Sequence, residues 1–208
     1  SHILHLADRI AVLIDKQSYV LSQVKTICQK ILQNSGKMFN PEFVEVFLKS
    51  LSNKEYFWLD AASPIMNSIL SRTSRLQMIE MDMTRLLHLT EIFSHIIDFR
   101  SRFTSTHSAG VSASAEALAM WMNFSKRECQ MMKIAGYLHD LGKLIVPNEI
   151  LEKPAKLTTD EFNIVKRHTF YTYRTLETMS DLETINSWAS FHHERIDGSG
   201  YPFHHKGE

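Results

Sequence analysis

The stretch Tyr137-Leu138-His139-Asp140-Leu141-Gly142-Lys143 sets a histidine beside an aspartate at the end of an apolar run, with a lysine three residues further on. An imidazole ligates a cation through one nitrogen, whereas a carboxylate has two oxygens and can bridge two cations, the arrangement that two-metal hydrolases place around a phosphate. Neighbouring residues on a helix point about 100° apart, so His139 and Asp140 can serve one site only where the helix ends or bends. Gly142 supplies that ending. Taken alone, the pair has a duller reading: a helix C-terminus with a capping-side histidine and a solvated aspartate.

Further along, Phe191-His192-His193-Glu194-Arg195-Ile196-Asp197-Gly198-Ser199-Gly200-Tyr201-Pro202 places two histidines in tandem before a loop closed by glycines and a proline. Upstream, Thr104-Ser105-Thr106-His107-Ser108 opens a helix with a histidine near its start, and His168 lies between the two motifs. Any one of these histidines alone would read as a core or surface residue; their joint spacing is what carries weight. Together they resemble the HD-GYP family, bacterial cyclic-dinucleotide phosphodiesterases of the HD hydrolase superfamily, over about half the chain, from near Asp98 to Glu208.

The resemblance implies that His107, His139, His168, His192 and His193 are imidazole ligands and that Asp140 is the bridging carboxylate. It implies two divalent metal ions. Mixed nitrogen and oxygen ligation with no cysteine near the motifs favours iron or manganese over a thiolate-rich zinc site. Lys143 would present a point charge to a phosphate oxygen; its duller reading is a solvated lysine at a helix end. Arg195, Asp197, Gly198, Gly200, Tyr201 and Pro202 would form a loop for substrate or partner, including GGDEF-domain diguanylate cyclases. The implied activity is hydrolysis of cyclic di-GMP to pGpG or GMP. The alternatives are a cyclic GMP-AMP phosphodiesterase and a regulatory scaffold that signals by binding.

The sequence also departs from the family pattern. Gly110 stands where the pattern has arginine, Thr172 where it has glycine, and Phe103 where members with a third metal carry glutamate. The pattern's last aspartate ligand falls beyond Glu208, so the resemblance implies an incomplete site within these residues. Asp8, in a strip resembling that missing segment, is a remote candidate to replace it.

These side chains need helices to position them. The 208 residues contain seven glycines and five prolines, and apolar residues recur at helical spacing nearly throughout, without strand-like alternation. The expectation is an all-α fold, an HD-superfamily helical bundle with a long connecting helix and an N-terminal helical module. Helices are expected over residues 3–14, from Val20, from Pro41 behind an Asn40 cap, and over about 106–122. Ser125-x-x-Glu128 and Thr158-x-x-Glu161 are capping boxes opening helices over about 126–139 and 160–179, and a last helix is expected over 182–193. Ser63-Pro64 would open an uninterrupted helix to about Arg100, with a possible break near Thr73. At 1.5 Å per residue its length, about 54 Å, exceeds what one small core covers, so it suits two modules or a homodimer.

Residues 1–62, with Ala7-Asp8-Arg9 and Gly36-Lys37-Met38-Phe39-Asn40-Pro41, look like the end of a preceding degenerate HD-GYP-like module; 63–208 would be the HD-GYP domain, C-terminally incomplete. Lys+Arg 23 against Asp+Glu 23 leaves no net charge, so no polybasic face for duplex nucleic acid or an anionic membrane is expected. No run reaches the roughly 20 apolar residues of a membrane span. Cys28 and Cys129 sit apart in helical patterns and read as buried free thiols of a reducing compartment, the cytoplasm.

Overall fold

The computed structural model describes residues 2–62, 80–100 and 107–207. Among these there is no strand, only isolated bridges at Ser35/Phe39 and Asp197/Lys206, so the all-α expectation holds. The chain divides into two compact units, residues 1–68 with 195–208, and residues 69–194.

In the first unit α1 (His2–Leu13), α2 (Val20–Gln33), α3 (Pro41–Val46) and α4 (Glu55–Ala62) are joined in part by a π-helical turn at Phe47–Leu51. The Asn40 side chain accepts from the Glu42 amide at 2.9 Å, so the expected cap of α3 is made. Leu6, Ile10, Ile27, Ile31, Val44, Phe47, Trp58 and Leu59 are buried. Trp58 gains edge contacts from Phe47 and Phe57, and its indole N–H donates to Ser52 O at 2.8 Å, the partner a buried indole needs.

Residues 195–208 belong to this unit. The Tyr56 amide donates to Pro202 O at 3.2 Å, the Tyr56 and Phe203 rings stack at 5.1 Å, and His204 Nε2 pairs with Glu55. Gly198 turns with φ 76°, the Tyr201-Pro202 peptide is cis, and Gly200, Pro202 and Phe203 are buried. Asp8 lies exposed on α1, paired with Arg9.

The second unit holds α5 (Met83–Phe99), α6 (His107–Trp121), α7 (Lys126–Leu138), a 3-10 turn (Leu141–Ile145), α8 (Asn148–Leu151), α9 (Thr159–Leu176), a 3-10 turn (Ser180–Leu182) and α10 (Glu183–Ser190). Both capping boxes form, at Ser125/Glu128 and Thr158/Glu161. Ile134, Ala135 and Leu138 of α7, Leu176 of α9, and Ile185 and Ala189 of α10 make the core, with Met83, Leu86 and Leu87 of α5 against it.

The long helix expected from Ser63-Pro64 to Arg100, with its candidate break at Thr73, is described only from residue 80. Residues 80–82 are not helical, and extended Asp82 caps α5 by accepting from the Arg85 amide at 2.8 Å. The buried face of α5 is partly polar. It carries Thr90, Ser94 and Asp98 beside Ile97, while Ile92, Ile96 and Phe99 face out. The Thr90 and Ser94 hydroxyls donate to carbonyls of their own helix, which lets these small polar residues be buried without loss.

α6 and α7 approach backbone to backbone. A Cβ on Gly136 would lie 2.6 Å from Ser112 Cα, and the Ser112 hydroxyl donates to Lys133 O at 2.7 Å. Gly136→Val must therefore push the two helices apart. It is expected to cost about 1–3 kcal/mol and to lower the thermal midpoint by several degrees; a variant melting within a degree of the parent would contradict this packing.

Candidate metal centre

His139 and Asp140 follow the last residue of α7. The helix ends without any left-handed residue: His139 still has helical angles, and Asp140 has φ −98° and ψ 10°. Gly142 thus serves a purpose other than the ending expected of it. A Cβ there would lie 1.9 Å from His168 O, so only glycine lets the 3-10 turn touch the backbone of α9. The Gly142 amide donates to the Thr172 hydroxyl at 2.9 Å, and that hydroxyl donates to His139 O at 3.3 Å. The contact brings Asp140 to His168.

α10 stops at Ser190, earlier than the expected 193, so His192 and His193 stand beyond its C-cap. They complete the cluster with His107, the first residue of α6. Ligand atoms of His107, His139 and Asp140 lie within 4.8 Å of one another, as do those of His168, His192 and His193. All six expected ligands are in one unit.

Three histidines are oriented in the same way. Nδ1 of His139 faces Gly136 O at 2.8 Å, Nδ1 of His168 faces Val165 O at 2.7 Å, and Nδ1 of His192 faces Ala189 O at 2.7 Å. A carbonyl can only accept, so each Nδ1 carries hydrogen and each Nε2 faces the centre, where it can give a lone pair to a cation. His168 Nε2 and His192 Nε2 are 3.2 Å apart. Asp140 offers one oxygen to each side: Oδ2 lies 3.2 Å from His139 Nε2 and Oδ1 lies 3.4 Å from His168 Nε2. Electron-rich atoms this close need a proton or a cation between them. Burial works against the proton, pushing the pKa of His168 down to about 4 and, helped by the neighbouring histidines, that of His192 down to about 2. Neutral His168 and His192 beside a carboxylate are the kind of donor set a divalent ion takes. The residues present fit a metal.

Burial would raise the Asp140 pKa, but the His139 hydrogen bond and the charges of His139, Lys143 and His168 outweigh it and hold the group well below the usual carboxylate range. Lys143 Nζ donates to Asp140 Oδ2 at 2.5 Å. Half-buried, it is neither the fully solvated lysine of the duller reading nor unengaged. His88, His95 and His205 are exposed. The loop residues Arg195, Asp197, Gly198, Gly200, Tyr201 and Pro202 lie in the first unit; Asp197 Oδ1 accepts from the Ser199 amide and hydroxyl at 2.9 and 2.6 Å, with Arg195 Nε at 3.6 Å. Phe103 lies outside the described residues. Cys129 is a buried free thiol and Cys28 a partly exposed one.

A model of the HD domain matches residues 91–208. The chain belongs to the HD domain family. The tandem-histidine and Gly-Tyr-Pro string makes it an HD domain of the HD-GYP type. It is 31% identical over 179 residues to 3'3'-cGAMP-specific phosphodiesterase 3 of Vibrio cholerae, covering 86% of this chain and 39% of that protein. It is 28% identical over 208 residues to 3'3'-cGAMP-specific phosphodiesterase 1 of the same organism, covering 96% and 48%. Against a cyclic di-GMP phosphodiesterase of Pseudomonas aeruginosa it is 41% identical over 102 residues, 49% of this chain and 25% of that one. The chain thus spans less than half the length of these relatives.

Two supports of this HD domain's centre went unread in the sequence, and both come from the last turn of α5. Buried Asp98 accepts from the Ser108 hydroxyl at 2.7 Å and the Ser108 amide at 3.2 Å, anchoring the residue beside His107. Arg100 donates to Leu144 O, to Val146 O at 3.2 Å and to Asn148 Oδ1 at 2.6 Å, bracing the turn that carries Lys143. The only available hint was an acid and an arginine ending an amphipathic helix.

Gly142→Ala is expected to leave helical content intact while weakening divalent-metal binding by about 10–100-fold, the range for losing support around a ligand. Competition with a chromophoric chelator would measure it; unchanged affinity would show that the approach to His168 is not needed for the centre.

Proposed function

We propose that this HD domain is a metal-dependent phosphodiesterase that hydrolyses a cyclic dinucleotide in bacterial second-messenger signalling, cyclic di-GMP to pGpG or GMP, with cyclic GMP-AMP as a second substrate reading. The observation that carries it is the convergence of two Nδ1-anchored histidines, His139 and His168, on the two oxygens of buried Asp140, with a third, His192, meeting His168 Nε2. His107, His139 and Asp140 would hold one ion and His168, His192 and His193 the other, with Asp140 shared between them. Iron or manganese suits this nitrogen and oxygen set. Divalent ions in such a centre supply an activated water and positive charge for the phosphoryl oxygens.

The chain's own residues do the rest. The carbonyls of Gly136, Val165 and Ala189 keep the imidazoles in one tautomer and direction. Lys143 holds Asp140 Oδ2 while half exposed in the pocket, where its ammonium can turn to a non-bridging phosphate oxygen. The cyclic GMP-AMP reading is supported by the relatives that align over most of the chain, which are named for that substrate. No helix among the described residues is long and apolar enough to cross a membrane, in keeping with a cytoplasmic domain. Exposed Ile196 in the Gly-Tyr-Pro loop suits a contact for GGDEF domains, and the outward Ile92, Ile96 and Phe99 of α5 suit pairing of two copies.

The test is metal analysis and turnover of protein purified anaerobically with iron or manganese, against both cyclic dinucleotides. Well under one metal per chain with no turnover would overturn the enzymatic reading in favour of a binding module. Asp140→Ala should fall below about a tenth of the parent rate with the fold kept, because it removes the shared ligand. Lys143→Ala should slow turnover yet retain metal; loss of metal in that variant would make the lysine structural.

A further inference from the structure

A cavity of about 400 Å³ opens beside the metal centre within the second unit, inside the roughly 300–1,000 Å³ of small-molecule sites. One wall is the ligand cluster of His107, His139, Asp140, His192 and His193 with Lys143; the other is apolar, formed by Val111, Ala115, Met132, Ala135 and Trp188. A phosphate and its metals account for the first wall. They leave the second without a use.

Trp188 dominates that wall. It lies on α10, four residues before His192, and lines the same cavity as that histidine. The indole packs against the core cluster and tilts against Phe124 with centroids 6.1 Å apart, yet remains partly exposed and lines the cavity. An aromatic side chain fixed by the core and open to a cavity is a stacking surface, and in a nucleotide one ribose separates the phosphate from the base. Met132 adds a polarizable thioether that adapts to a flat ring.

We propose that Trp188, with Met132, Val111 and Ala115, is a purine-stacking platform beside the metal centre and that it takes guanine and adenine alike. Stacking uses the π-face, which both purines share, rather than the hydrogen-bonding edge in which they differ. Apolar walls discriminate weakly among ligands of one shape, whereas strong rejection needs a polar group left unpaired by the wrong ligand. The proposal rests on the cyclic-dinucleotide reading above.

The experiment compares parent, Trp188→Ala and Trp188→Phe, all metal-loaded. For cyclic di-GMP and cyclic GMP-AMP alike, Trp188→Ala should raise KM about tenfold or more, and more than it lowers kcat, while Trp188→Phe stays within about threefold of the parent. Metal content should be the same in all three. In parallel, GMP and AMP should quench the parent's tryptophan fluorescence and ribose 5-phosphate should not, and Trp188→Phe should lose that quenching. A KM in Trp188→Ala within about twofold of the parent, a rise for one substrate only, or loss of metal would each overturn the platform. Should the parent hydrolyse neither dinucleotide, the proposed reaction fails, and the quenching decides the platform by itself: base-dependent quenching lost in Trp188→Phe supports it, and its absence overturns it.

Discussion

A carboxylate taken out of water costs several kcal/mol unless opposite charge and hydrogen bonds replace its hydration. Asp140 is 2% exposed, and its replacements come from three places in the chain: His139 beside it, Lys143 on the following turn and His168 on α9. Only Lys143 brings a permanent charge; the two imidazoles compensate the carboxylate through a proton or a cation held between them. The position of α9 against the end of α7 is therefore dictated as much by this anion as by the apolar core of Ile134, Leu138 and Leu176. His168 and His192 meet lone pair to lone pair next to it. The packing that compensates the carboxylate is the same packing that creates demand for a cation.

Such an arrangement tolerates little slack, and the fold removes slack by bringing backbones together. Gly142 lets the 3-10 turn reach His168 O, and Gly136 lets α7 reach Ser112 on α6. The first contact places Asp140 against His168; the second holds α6, which begins at His107, close to α7, whose end His139 caps. Asp98 and Arg100 then tie the end of α5 to both edges of the centre, one through Ser108 and the other through Leu144, Val146 and Asn148. Each device is a polar or steric contact between elements distant in sequence.

That distinction explains what could be read from the sequence. Helix starts at Asn40, Ser125 and Thr158 were legible because a cap is made within four residues and needs no tertiary partner. The six candidate ligands were legible because their types and joint spacing match a family pattern, which carries tertiary information that one sequence lacks. The polar inner face of α5 was not legible: Thr90 and Ser94 share a helical face with Leu86 and Ile97, but their residue types favour the surface, and only close packing of small residues with self-satisfied hydroxyls reverses this. The end of α10 at Ser190, the use of Gly142 as a contact rather than a terminator, and the packing of Pro202 and Phe203 with α4 depend on distant neighbours in the same way.

The two departures from the family pattern now differ in meaning. Gly110 is exposed, and a Cβ there would meet nothing within 4 Å, so space for a larger side chain exists and glycine leaves that side of α6 open. Thr172 is fully buried and adds something glycine cannot: one hydroxyl that accepts from Gly142 N–H and donates to His139 O. Those two backbone groups flank Asp140. With both held from α9, the turn that carries the carboxylate is pinned on either side, and the threonine strengthens the joint on which both halves of the centre depend.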